Sequence, residues 1–166
     1  MAILLDEMLK RTASWCRVLG IDTQFITGKS DTWLLQYAKK GKLVLVTKDM
    51  ELFGRCQKQG VQCIFLKTDS REEQVAQIIR DTGVRMTFPE RTRCPKCNGE
   101  LAVVDAASVK DDVPETVADA QQRFWKCASC GKVYWEGSHW RNITRVYERV
   151  RALLELPQGG TETKDI

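Results

Sequence analysis

The sequence has no apolar run approaching the roughly 18 residues that a membrane span requires. No positively charged lead precedes an apolar core at the N-terminus, so no secretory signal is expected and the expected compartment is the cytosol. Histidine is nearly absent, with His139 the single example. A strong charge imbalance is missing too. The net charge is +4 and the pI near 8.7, which permits a nucleic-acid partner without demanding one. The composition of a disordered chain is also missing, because 43% hydrophobic and 29% charged residues is a globular balance. At 166 residues the chain can hold one ordinary domain, or a compact domain of about 90 residues with a small appendage.

Cysteine is what the chain has in quantity, with seven residues. The odd count, the missing signal and two Cys-x-x-Cys pairs argue for metal rather than disulfides. Cys94-Pro95-Lys96-Cys97 and Cys127-Ala128-Ser129-Cys130 read as two knuckles. Each pair lets two thiolates reach one ion, and four complete a tetrahedral structural zinc site. The gap between the pairs exceeds the commonest spacing, so an insertion is expected; residues 109–122, acidic and containing Pro114, fit it. Leu101-Ala102-Val103-Val104 and Lys132-Val133-Tyr134-Trp135 read as ribbon strands. Cys16, Cys56 and Cys63 lie in apolar surroundings and read as buried thiols.

The N-terminal half is organised around Leu43-Val44-Leu45-Val46, which stops abruptly at Thr47-Lys48-Asp49. A short apolar run of this kind suits a strand buried on both faces of a parallel sheet. Ala2-Ile3-Leu4-Leu5 repeats the pattern and ends in Asp6-Glu7; Thr23–Ile26 and Gln62–Leu66 supply two further strands. Helical spacing follows each strand, with stops at Gly20, Gly41, Gly60 and Gly83. Four strands alternating with helices predict an α/β fold with a parallel sheet flanked by helices.

That topology puts Asp6 and Asp49, each just past a strand, on the C-terminal edge of the sheet. Asp31 opens the helix that leaves the second strand, so it falls on the same edge. Each acid alone reads equally well as a helix N-cap; three on one edge favour a site. Three carboxylates together repel one another, and an arrangement of hard oxygen donors suits magnesium or manganese. Such an ion activates water and neutralises a phosphate in transfer, so the chemistry suggested is phosphodiester hydrolysis. Glu7, Glu51 and Asp69 are weaker candidates for a further carboxylate. Lys10, Arg11 and Lys48 flank the edge and suit a phosphate backbone, or else a solvated face.

Beyond the knuckles, Tyr134-Trp135 and His139-Trp140 bring aromatics beside the single histidine. They suit stacking on unpaired bases, or the packing of a small ribbon core. Arg141, Arg145 and Arg149 recur at four-residue spacing on an expected helix, either a phosphate-binding stripe or a solvated one. The tail from Pro157 is expected to be disordered. The boundaries read as 1–88 for the sheet domain, 89–156 for the zinc ribbon with its C-terminal helix, and 157–166 for the tail.

Leu5-Asp6-Glu7-Met8-Leu9, Trp15-Cys16-Arg17-Val18-Leu19-Gly20-Ile21-Asp22-Thr23, Asp31-Thr32-Trp33-Leu34-Leu35 and Val46-Thr47-Lys48-Asp49 resemble the compact PIN-like nucleases. The nearest subgroup is the Mut-seven C-terminal RNase family, which couples a PIN-like domain to a C-terminal zinc ribbon. The resemblance implies a metal-dependent ribonuclease. Asp6, Asp31 and Asp49 would hold catalytic magnesium or manganese, Cys94, Cys97, Cys127 and Cys130 would hold structural zinc, and single-stranded RNA would be the partner. It leaves the fourth acid of such enzymes unplaced, and Lys48 stands where many relatives show Arg. Two other readings stay open: a non-catalytic RNA-binding or protein-docking adaptor on the same fold, and a nuclease acting on DNA.

Overall fold

A computed structural model describes residues 1–157; the tail expected to be disordered lies almost wholly outside the described residues. Four parallel strands form the first sheet: β1 (Ile3–Leu5), β2 (Thr23–Phe25), β3 (Val44–Thr47) and β4 (Cys63–Phe65). Their spatial order is β2-β1-β3-β4. The register sets Ile3 opposite both Thr23 and Val44, and Val46 opposite Ile64. The crossover helices are α1 (Lys10–Val18), α2 (Asp31–Gly41) and α3 (Met50–Lys58), and α4 (Arg71–Thr82) follows β4.

The period of two along each strand sorts the core into two layers. Ile3, Leu5, Val44 and Val46 face a cluster that includes Leu9, Ala13 and Cys16 near α1 and Val75 and Ile78 of α4. Leu4 and Leu45 face the other way, onto Leu34, Leu35 and Ala38 of α2 and Leu52 and Cys56 of α3. Both faces are covered, as an all-parallel sheet requires. Gly20 closes α1 at φ 91, and a Cβ there would lie 2.3 Å from the carbonyl oxygen of Arg91. Only glycine lets the returning chain dock against that turn.

The C-terminal half forms a second, antiparallel sheet of β5 (Leu101–Val104), β6 (Phe124–Cys127) and β7 (Val133–Trp135). The expected insertion folds back on it. Short α5 (Glu115–Ala120) and the turn before it bring Val109 and Val113 against Phe124 and Val133, giving the ribbon a small core. The last helix, α6 (Ser138–Glu155), leaves the ribbon and lies on the first domain. Its Val146 and Val150 are buried in the core layer shared with α1 and α4. Phe88 holds the junction, with ring centroids 5.3 Å from both Trp140 and Tyr147.

Candidate active site and metal centre

In this strand order the chain leaves β1 toward β2 on one side, while β3 lies on the other. The crevice of an open parallel sheet opens at such a switch point, beyond the C-terminal strand ends. Asp6 and Asp49 follow the two strands that flank it. Asp6 is buried, and its backbone N–H donates to the Val46 carbonyl at 3.0 Å. Thr47, fully buried, joins the two acids. Its hydroxyl donates to Asp6 Oδ2 at 2.8 Å and accepts the Asp49 backbone N–H at 2.9 Å. Asp49 caps α3: its Oδ1 accepts the backbone N–H groups of Glu51 at 2.8 Å and Leu52 at 3.0 Å. Both cap bonds use one oxygen, so Asp49 acts as a cap and leaves Oδ2 out of the cap bonds.

Asp31 is not a cap, because Ser30 fills that role by accepting the Trp33 N–H. Its carboxyl is held above the ordinary aspartate range, first by burial, then by the negative charges of Asp49 and Asp6. Arg55 of α3 opposes the rise, and Glu51 adds to it. Arg55 also donates to Thr32 Oγ1 at 2.7 Å, which fixes it at the start of α2. The three acids are thus near enough to feel one another. Their oxygens do not close into a tight set: among the described residues, the group of three or more such side chains whose ligating atoms all approach within 4.8 Å is the cysteine quartet. An open carboxylate edge is what magnesium uses, since it keeps waters and takes substrate oxygens beside one or two carboxylates.

Of the basic residues, Lys10, Arg11 and Lys48 line one groove together with Met8, Leu9 and Arg71. Lys48 is ion-paired to Asp69. Met8 and Met50, close in sequence to Asp6 and Asp49, are exposed. Arg141, Arg145 and Arg149 lie exposed on α6, with Arg145 donating to Asn142 Oδ1 at 2.8 Å. Trp140 is half-buried and stacked on Trp125, centroids 5.4 Å apart and planes 12° apart, whereas His139 is exposed.

Cys94, Cys97, Cys127 and Cys130 converge. The Cys97–Cys127 and Cys94–Cys130 sulfurs are 3.4 and 3.8 Å apart. A tetrahedron with metal–sulfur bonds of about 2.3 Å has edges of about 3.8 Å, so the quartet fits one zinc ion. Backbone N–H groups of Gly99 and Cys130 reach the Cys97 and Cys127 sulfurs at 3.4 and 3.5 Å. A Cβ on Gly99 would lie 2.7 Å from the Cys127 sulfur, so the hairpin approaches the cluster only as glycine. Burial opposes ionisation of Cys127, but N–H groups of Cys130 and Ser129 bring its thiol down to about 6. Gly99 favours the Cys97 thiolate, yet burial and the neighbouring sulfurs push it up to about 12. Four thiolates crowded this way call for a divalent cation. The other thiols are inert by comparison: burial raises Cys16 to about 12 and raises Cys56 and Cys63 as well.

The first knuckle is bolted to the exposed edge of the parallel sheet. Arg17, buried on α1, donates to the carbonyls of Pro95 at 3.0 Å and Lys96 at 3.2 Å, and to Thr23 at 2.9 Å. Asn98 accepts the Thr23 N–H at 3.1 Å and donates to Asp22 at 2.7 Å. The free backbone N–H and carbonyl of Thr23 on edge strand β2 are thereby paired. Thr47, Arg17 and Asn98 are positions around the candidate sites that sequence reasoning missed. The Thr47-x-Asp49 spacing signals a hydroxyl bonded to the amide two residues on. Arg17, four residues after Ala13, was legible as a charge on a buried helix face.

Comparison with curated proteins and with solved structures finds no match. The family model of the Mut7-C RNAse domain matches residues 1–147, which span both the acid edge and the cysteine quartet, and the chain belongs to that family.

Proposed function

We propose that this protein is a metal-dependent ribonuclease that hydrolyses RNA phosphodiester bonds at the acid edge, with the zinc ribbon helping to hold the strand. The observation that carries the reading is the pairing of Asp6 and Asp49 through the buried Thr47 hydroxyl at the sheet's switch point. The donor set fits a hard divalent ion. Asp31's carboxyl is held up first by burial and then by the negative charges of Asp49 and Asp6, which Arg55 only partly opposes. Asp6, Asp31 and Asp49 would hold magnesium or manganese, which when bound lowers the pKa of water and neutralises phosphate charge.

The chain's own residues do the rest. Thr47 fixes the carboxylate of Asp6 and the backbone of Asp49 in one geometry. Asp49 keeps one oxygen on the α3 N-terminus, which leaves the other for the ion. Water adds to phosphorus and one P–O ester bond breaks. One product keeps the phosphate and the other takes a proton as a hydroxyl. Lys10, Arg11 and Lys48 line the groove beside the edge and suit the flanking phosphates. Lys48 exchanges Asp69 for a phosphate when RNA binds. The arginines of α6 add an exposed basic face, and His139 lies near the junction where the ribbon meets the helix.

The test is cleavage of labelled single-stranded RNA in magnesium or manganese, beside a chelated control and the double variant Asp6→Asn/Asp49→Asn. Cleavage lost in both controls, with unchanged circular dichroism, is the expected outcome. Binding retained with no cleavage under any metal sinks the reading and leaves an adaptor on a nuclease fold. Matched DNA cut as fast as RNA makes it a general nuclease.

A further inference from the structure

The junction of ribbon, linker and α6 encloses a cavity of about 390 Å³. Its walls are apolar and aromatic, with Trp125, Trp135, Trp140 and Tyr134 among them, and His139 and Lys132 beside them. The stacked Trp125–Trp140 pair, backed by Phe88, makes one wall rigid. Specific small-ligand pockets begin near about 300 Å³, so the space suits one flat heterocycle and not a folded partner.

This cavity does not stand alone. A groove shares Pro95, Lys132 and Tyr134 with it and runs past Lys96 and Arg17 to Lys10. Lys10 in turn lines the groove that holds Arg11, Lys48 and Arg71. Lys48 sits between Thr47 and Asp49 in sequence, so the path comes up to the strand end that carries Asp49. The chain has 22 acidic residues, yet among the described residues no acid lines the aromatic cavity or the middle groove. The third groove holds only Asp69, paired to Lys48. A basic path that starts in an aromatic cavity matches a chain of phosphates carrying one splayed base. Aromatic faces accept any base by stacking, and lysines along a groove track a backbone.

We propose that the aromatic cavity is a nucleobase subsite: it takes one unpaired base of an RNA strand whose phosphates follow Lys132, Lys96 and Lys10 to the acid edge. This rests on the ribonuclease reading for its substrate but not for its binding. The anchored base and the scissile phosphate would lie on one continuous path, so cuts should fall at a constant number of nucleotides from that base.

The experiment uses the full chain carrying Asp49→Asn and short single-stranded RNAs with 2-aminopurine at one position at a time, without metal added beyond zinc. Fluorescence should be quenched at one position and not at its neighbours. An abasic site there should weaken binding about tenfold, within the range for loss of one stacked base. Trp135→Ala should abolish the quench. Because that change touches the ribbon core, Lys132→Ala and His139→Ala are read as well, with zinc content confirming the fold; each should weaken both quench and affinity. Equal quenching at every position, or a quench unchanged in all three variants, overturns the proposal. Cleavage by the unmutated chain, scored in parallel, keeps the two readings apart. Cutting without a position-specific quench removes the subsite only. A specific quench without cutting leaves the subsite and removes the ribonuclease.

Discussion

At the residue scale, the crevice is an electrostatic compromise centred on Asp31. Burial and the charges of Asp49 and Asp6 hold its proton more tightly than in an unfolded chain. A folded-state pKa above the unfolded value means the ionised group costs the metal-free fold stability at neutral pH. That cost fades as pH falls through the raised pKa. The same shift acts oppositely on metal, which binds only the deprotonated group. Divalent-metal affinity should therefore fall on acidification at a higher pH than an ordinary aspartate would impose. Carboxyl NMR titration of the metal-free protein should place Asp31 above the usual range. In Asp49→Asn, which removes one of the three acids that raise it, the value should drop. An Asp31 titration indifferent to Asp49 would mean that the two carboxyls do not share a field, and the case for a shared cation site would weaken accordingly.

At the element scale, α6 shows what a one-dimensional pattern hides. Its arginines at positions 141, 145 and 149 recur as a stripe, and that stripe is exposed. The opposite face carries Val146 and Val150 into the core of the sheet domain, against the layer of α1 and α4. Truncating the fully buried Val150 to Ala should cost about 2 kcal/mol. Arg149→Ala, one residue away, should stay within about 0.5 kcal/mol. Thermal unfolding of the two variants separates them by about 4–8 °C for a chain of this size; equal melting temperatures would detach α6 from the core. The strands were legible because their apolar runs are short, β-branched and bounded by glycine or acid. The cysteine quartet was legible from spacing alone. The docking of α6 was not, since amphipathic helices declare an apolar face but not the surface that receives it. Nor was the Thr47 bridge complete in the sequence: its local half follows from Thr47-x-Asp49, but the bond to Asp6 depends on strand order.

At the scale of the whole molecule, the zinc ribbon is a covering for the sheet's open edge as much as an appendage. Arg17 and Asn98 bind the Thr23 backbone from one side and the Cys94–Cys97 knuckle from the other. Asn98 holds φ 70, a left-handed turn that the knuckle imposes on a residue able to tolerate it. Zinc held by the quartet would therefore stabilise two things at once, the ribbon's small core and the register of β2, from which the chain runs on to Asp31. Removing the metal by chelation, or weakening the site with Cys97→Ser, should lower the melting temperature of the whole chain in one transition. Hydrogen exchange should then quicken at the Thr23 amide, whose acceptor is the Asn98 side chain, and not only in β5–β7. If the ribbon were an independent module, its strands would exchange faster after zinc loss while β2 kept its protection. Two separate unfolding transitions would say the same. Coupled loss is the expected result, because the buried Arg17 guanidinium, left without its Pro95 and Lys96 carbonyls, would sit as an unsatisfied charge against the sheet.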